Sequence, residues 1–365
     1  MKTIWKIIII VIMVGMILSV VGFVTGASRT LYIDRTGVKV SDGSISHITE
    51  MNLEQFRSVS VDVGFSDIEF VISDNFGIDL YGNDMEWLWS LEDGTLNITH
   101  NRSALLHIIK LDFIATGRNH AKIFLPANTE LETVIVRTNS GDIKIGSFRA
   151  DKADVTSSFG NVELNNITSN HLQVDLSSGR FTGINLTTGK LDFTGRFGNG
   201  YFQSVTADSL SAYSNSGDLH FTDCSFGEID VTNSFGNIIT NGFASSKTNI
   251  LASSGDVRIA GDLSGETVIH ANFGDTKLEL SREKEEYSYY VSVRFGNIIF
   301  DGERQREQST INSRTILENH LEITSSSGDV EVSFGNYTPS LLRLNCSISV
   351  KLFFGTCPFR GMIFW

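Results

Sequence analysis

Proline is nearly missing from this chain of 365 residues, with three against thirty-three glycines. That balance, with abundant Ser, Thr and Asn, is the vocabulary of many short strands joined by tight turns. Cysteine is equally sparse. Three residues make no disulfide framework, and none stands at a zinc-binding spacing. Cys224 falls at an inward position of a repeat and reads as a small buried hydrophobe. Cys346 and Cys357 lie in the tail, where an oxidising compartment would allow them to pair. Lys and Arg number 29 against 42 Asp and Glu, for a net charge of −13. Phosphate binding needs a basic surface, so nucleic acid is excluded as a partner. The eight histidines are dispersed from His47 to His320. No nucleophile elbow, phosphate loop or dinucleotide fingerprint occurs in a strand-to-helix context. Neither cofactor nor metal is expected.

What is present begins at the N-terminus. Lys2 and Lys6 precede an uncharged apolar run over residues 7–25. As helix it spans roughly 28 Å, enough for a bilayer core, and the lysines place the N-terminus in the cytoplasm. The segment reads as a transmembrane anchor after a cytoplasmic stub at 1–6, with a cleaved signal peptide as the alternative. Either way, the chain beyond Gly26 is expected to be extracytoplasmic.

Eight glycines then stand nineteen residues apart: Gly141, Gly160, Gly179, Gly198, Gly217, Gly236, Gly255 and Gly274. Their flanks alternate between Ser-Gly-Asp and Phe-Gly-Asn types. A short fixed period means one supersecondary coil per unit, stacked on its neighbours. Counted from each glycine, apolar residues occupy the second and fourth positions (Ile143 and Ile145), the seventh (Phe148), and the twelfth and fourteenth (Leu172 and Val174). Spacing by two marks a strand with one buried face. The expected fold is an all-β, single-stranded β-solenoid with nineteen-residue coils, preceded by one transmembrane helix. Stacking aligns Asp142, Asn161, Arg180, Asn199, Asp218, Asn237, Asp256 and Asp275 in a column, a candidate surface ladder apart from Arg180. Ahead of the glycines, Ser and Phe alternate, and each ring is expected to cover the space left by the serines beside it.

Residues 26–55 read as a linker and first strand, and 56–138 as irregular coils and a cap. Within the cap, Trp87 and Trp89 are expected on one core or edge face. The regular repeat runs over 139–336, with insertions near 282–287 and 303–314. Gly296 and Gly328 mark its last coils in sequence order. Residues 337–365 contain no Asp or Glu; a hydrophobic cap and an out-of-frame tail are both open readings.

Where Ile123-Phe124-Leu125-Pro126 leads into Asn139-Ser140-Gly141-Asp142-Ile143, the chain resembles the bacterial putative-adhesin family with a β-strand repeat, a domain-of-unknown-function family. Its pattern is a strand ending in Leu-Pro or Ile-Pro, then iterated Ser-Gly-Asp-Ile and Phe-Gly-Asn-Val turns. The resemblance covers about residues 56–336. It implies a surface β-solenoid with no catalytic residues to carry over. Anchored members are typical of Gram-positive-type bacteria, some encoded beside systems that sense envelope stress.

The expected function is therefore non-enzymatic: an anchored adhesin or cell-envelope binding protein at the cell membrane, its partner a wall polymer or envelope protein. The alternatives are a solenoid polysaccharide lyase or hydrolase, with carboxylates gathered on one outer face, and a structural spacer. The Asp ladder could also collect Ca²⁺, although calcium-binding solenoid repeats are denser in Gly and Asp.

Overall fold

The computed structural model describes residues 11–18, 21, 30–34, 37–40, 45–83, 86–100, 109–112, 118–305, 309–335 and 337. Among them the chain is all-β, apart from helix at 11–18 and one 3-10 turn at Lys284–Glu286. Thr30–Asp34 pairs antiparallel with Gly37–Val40 and Ile109–Asp112 in a small sheet. The other 25 strands form one sheet around a continuous apolar core.

The sequence period reappears as register. Ile143 pairs with Val162, Val162 with Phe181, Phe181 with Gly200 and Gly200 with Leu219, always in parallel and nineteen residues on. The same holds on the other side of each coil, where Val155 pairs with Val174 and Val174 with Phe193. The chain thus returns to its starting height plus one strand spacing, about 4.8 Å, every nineteen residues. The inward residues expected at positions two, four, seven, twelve and fourteen are buried, including Ile143, Ile145, Phe148, Leu172 and Val174. Cys224 is buried, and burial pushes its thiol up to about 11. Trp87 is buried, and Trp89 packs half-buried against the same core.

At the C-terminal end the coils do not stack in sequence order. Val257–Phe273 pairs with Asn319–Ser327, fifty-four residues on, and Asn319–Ser327 pairs in turn with Tyr287–Phe295. The spatial order of the glycines is therefore Gly274, Gly328, Gly296, which corrects the sequential order expected from spacing. The insertion near 303–314 explains how. It supplies Glu303–Gln305 and Thr310–Asn312, which pair antiparallel with the outermost strands, and the chain then fills the coil it had skipped. The N-terminal end is closed similarly. Ser58–Phe65 pairs with Thr129–Ser140, while the antiparallel strands Gly77–Asn83 and Ile45–Met51 cover His120–Leu125. Antiparallel covers of this kind keep a parallel edge from templating another chain.

No helix among the described residues is long and apolar enough to cross a membrane. Most of the expected anchor, the stub at 1–6, Cys346, Cys357 and the tail beyond Tyr337 lie outside the described residues.

Candidate functional site

The repeated feature with the most chemistry is the glycine turn. All ten turn glycines, from Gly141 to Gly328, have φ between +125° and +158°, a region that side-chain-bearing residues rarely adopt. Space excludes a side chain as well: a Cβ on Gly217 would land against the Gly198 carbonyl, far inside van der Waals contact. At each turn of the column the neighbouring coil leaves no room for a side chain. Each turn adds an inter-coil bond, such as Gly217 N–H donating to the Phe235 carbonyl at 2.8 Å.

The ladder residues form a relay. Asp142 Oδ1 accepts the Asn161 amide at 2.8 Å, Asn199 Oδ1 the Asp218 amide at 3.0 Å, and Asp218 Oδ1 the Asn237 amide at 2.7 Å. Asn237 Oδ1 then takes the Asp256 amide at 2.9 Å, and Asp256 Oδ1 the Asp275 amide at 3.0 Å. The relay continues in the swapped order, through Asp275 to Asp329 and Asp329 to Asn297. Asp and Asn recur because each offers an oxygen at the right reach. Arg180 has no side-chain oxygen and interrupts the relay before Asn199; its guanidinium lies over the Tyr201 ring at 5.6 Å. The primary role of the ladder is to join coils.

The Phe column departs from expectation. Phe65, Phe159, Phe197, Phe235, Phe273 and Phe295 are 55–66% exposed. These rings stand out into solvent instead of filling space above the serines, because the position beside the glycine turn already faces outward. Pairing runs Phe65, Ser140, Phe159, Ser178, Phe197, Ser216, Phe235, Ser254, Phe273, Ser327, Phe295. Rings therefore occur on alternate coils, about 9.6 Å apart. Between Phe65 and Phe159 the notch is an open cleft of about 540 Å³ over Ser140 and Gly141, edged by Asp67, Asp142, Arg118 and Asn161. Arg118 Nη1 stands 3.7 Å from Asp67 and 3.8 Å from Asp142.

Two clusters lie away from this edge. Asp79 sits between His47 Nε2 at 2.7 Å and His120 Nε2 at 3.2 Å, with Thr49 donating at 2.8 Å. Burial would raise its carboxyl, but the hydrogen bonds from His47, Thr49 and His120 outweigh it and hold the group below the usual carboxylate range. Asp192 behaves alike: burial is outweighed by Lys190 and His171, each at 2.8 Å. Among the described residues, no group of three or more His, Cys, Asp or Glu is arranged to hold a metal ion.

Sequence reasoning missed a second corner. Six residues after the glycines from Gly141 to Gly236, Ser147, Asn166, Asn185, Ser204 and Asp223 have φ of 52–61° and Gly242 has 69°. The nineteen-residue recurrence of Asn, Asp, Ser and Gly there was a readable signal, since short polar side chains tolerate the left-handed region. Positions nine and sixteen are also inward, with Ser169, Thr188, Ser214 and Asn233 buried; their polarity hid them.

The sequence profile of the Toastrack DUF4097 family matches residues 81–333. The chain belongs to that family. No curated protein matches it. Among solved structures it is similar to a "putative adhesin" from Bacteroides fragilis NCTC 9343, at 16% identity over 63% of this chain and 96% of that one, with TM-score 0.41. It is also similar to a "putative adhesin" from Parabacteroides distasonis ATCC 8503 (11% identity, 80% and 98% covered, TM-score 0.40). A third is a "putative lipid binding protein" from the same organism (14% identity, 80% and 98% covered, TM-score 0.35).

Proposed function

We propose that this Toastrack chain is a non-enzymatic, adhesin-like binding protein whose coils form a single-stranded β-solenoid displayed outside the cytoplasmic membrane. The apolar segment at 7–25 anchors it there, and its partner is a polymer or protein of the cell envelope. A role in the envelope-stress response rests on the family resemblance alone. One observation carries the reading: a column of six solvent-facing phenylalanines on a repeating edge. Apolar rings in water cost free energy unless a partner covers them, and a repetitive face suits a repetitive ligand. The turn carboxylates favour binding over cleavage, because each Asp of the ladder accepts an amide of the next coil.

The test is co-sedimentation of the full chain, in detergent, with purified wall and polysaccharide fractions. Pelleting without release of reducing ends, and lost on Phe197→Ser with Phe235→Ser, is the expected result. Turnover abolished by one carboxylate substitution would make the chain an enzyme. Neither pelleting nor turnover would leave a spacer.

A further inference from the structure

The binding reading names no ligand, and the geometry of the same edge narrows it. We propose that the phenylalanine column is a binding track for a linear, β-1,4-linked glycan of uncharged sugars, as in an insoluble surface polysaccharide, with one disaccharide per pair of coils. The inference rests on the proposed function and adds the class of ligand.

Three observations carry it. The first is pitch. Rings on alternate coils stand about 9.6 Å apart, and this matches the axial length of two sugars in an extended β-1,4-linked chain. In such a chain every second sugar presents the same face, so only every second coil needs a ring. The C–H bonds on a sugar face meet the negative face of an aromatic ring, the attraction that also orients aromatic pairs. Sugars between the rings lie over serine notches, and the cleft of about 540 Å³ between Phe65 and Phe159 is large enough for a sugar ring. The second observation is what flanks the rings. Ser158, Arg196, Ser234, Asn272 and Arg294 stand one residue before the rings of Phe159, Phe197, Phe235, Phe273 and Phe295 and present hydroxyl, amide and guanidinium groups that can hydrogen-bond sugar hydroxyls.

The third is charge. Beside the rings run Asp67, Asp142, Asp218, Asp256, Asp275 and Asp329, matched locally by Arg118, Arg180, Arg196, Arg258, Arg294 and Arg304, on a chain of net charge −13. The edge is locally balanced, while the net negative charge of the whole chain disfavours an anionic polymer or anionic lipid surface. A second copy of the chain carries the same net negative charge and is disfavoured as well. An uncharged glycan meets no such barrier.

The experiment is calorimetric titration of the full chain in detergent with soluble N-acetylglucosamine oligomers linked β-1,4. A trimer spans two rings, a pentamer three and a heptamer four. Affinity is expected to rise about tenfold per added ring, from trimer to pentamer to heptamer. Heptamers of glucose linked β-1,3 or α-1,4 have another pitch and should bind at least tenfold more weakly than the β-1,4 heptamer. Phe197→Ser should weaken the β-1,4 heptamer about tenfold while its melting temperature stays within a few degrees of the parent. Equal affinity for the three linkages, or no dependence on length, overturns the proposal. So does a concentration-dependent dimer that Phe197→Ser abolishes, which would make the face a self-association surface. If the oligomers fail while wall fractions still pellet the protein, the glycan assignment falls and the proposed function stands. If nothing pellets it, both fall.

Discussion

The stacking of the coils is tested most directly at Gly217, by replacement with alanine. Its φ of +147° costs an L-residue about 1–3 kcal/mol. The new Cβ would meet the Gly198 carbonyl, so the two coils must part locally. The bonds at that seam include Gly217 N–H to Phe235 O at 2.8 Å and the Asp218 amide to Asn199 Oδ1 at 3.0 Å. Weakening both adds about 1 kcal/mol each. The expected total is about 3–5 kcal/mol, or a melting temperature lower by about 8 °C at roughly 2 °C per kcal/mol for a domain this large. Gly302 is the control: φ is also positive, at +76°, yet a Cβ there meets nothing within 4 Å. Gly302→Ala should cost only the backbone term, about 1–2 kcal/mol. Urea unfolding followed by far-ultraviolet circular dichroism measures both. If Gly217→Ala costs no more than Gly302→Ala, close approach of the coils is not what selects glycine.

The same geometry fixes four further outcomes. Arg180→Asn gives the relay an oxygen for the Asn199 amide and should raise the urea midpoint by the equivalent of about 0.5 kcal/mol, the new bond outweighing the lost Tyr201 contact; a fall in midpoint would refute the relay. Ser216→Phe adds a ring to an outward position, so stability should change by less than about 1 kcal/mol while the notch is blocked and polymer binding is lost; a large loss of stability would return the rings to a packing role. Cys224 has its thiol raised from 9.0 to about 11 by burial, so the folded state disfavours the thiolate. Its contribution is full below pH 9 and is lost, by about 2–3 kcal/mol, as pH rises toward 11. Cys224→Ala should remove that part of the alkaline decline, as read from urea midpoints across pH. Asp79 has its carboxyl lowered, so its contribution is present above the ordinary carboxylate range and is lost as pH falls through the folded value. Acid titration of Asp79→Asn should therefore show a smaller stability loss than the parent, and an equal loss would remove Asp79 from the acid response.

Much of the fold was legible because two independent signals repeat in phase. Glycine marks the turn, and the apolar positions two and four after it mark a strand with one wet face, as Ile143 and Ile145 show. Burial at positions nine and sixteen was not legible, because a hydrophobicity pattern cannot distinguish an inward Ser214 or Asn233 from a surface one. At position nine burial follows from the corner at position six, which resets the alternation. Position sixteen keeps the phase of twelve and fourteen, a polar residue standing there where Leu176 stands in another coil. The exposed rings were misread for the converse reason. A periodic phenylalanine looks like core, yet at the ten repeat turns from Gly141 to Gly328 the residue before the glycine, Ser or Phe, is not buried. The ladder residues do align in one column, but their hydrogen bonding between coils depends on the distance between coils, which no single coil contains.

The order of the last coils bears on both the fold and the ring-bearing edge. In sequence, Phe273 and Phe295 precede successive turns, and Ser327 comes after them, so alternation fails along the chain. In space Ser327 lies between the two phenylalanines, and alternation is kept from Phe65 to Phe295. Local folding rules give no reason for this. Two rings on adjacent coils, about 4.8 Å apart, would stack and close the notch without disturbing the core beneath. The chain takes a fifty-four-residue detour and still preserves ring, notch, ring along its outer edge, which is the arrangement that the proposed binding track requires.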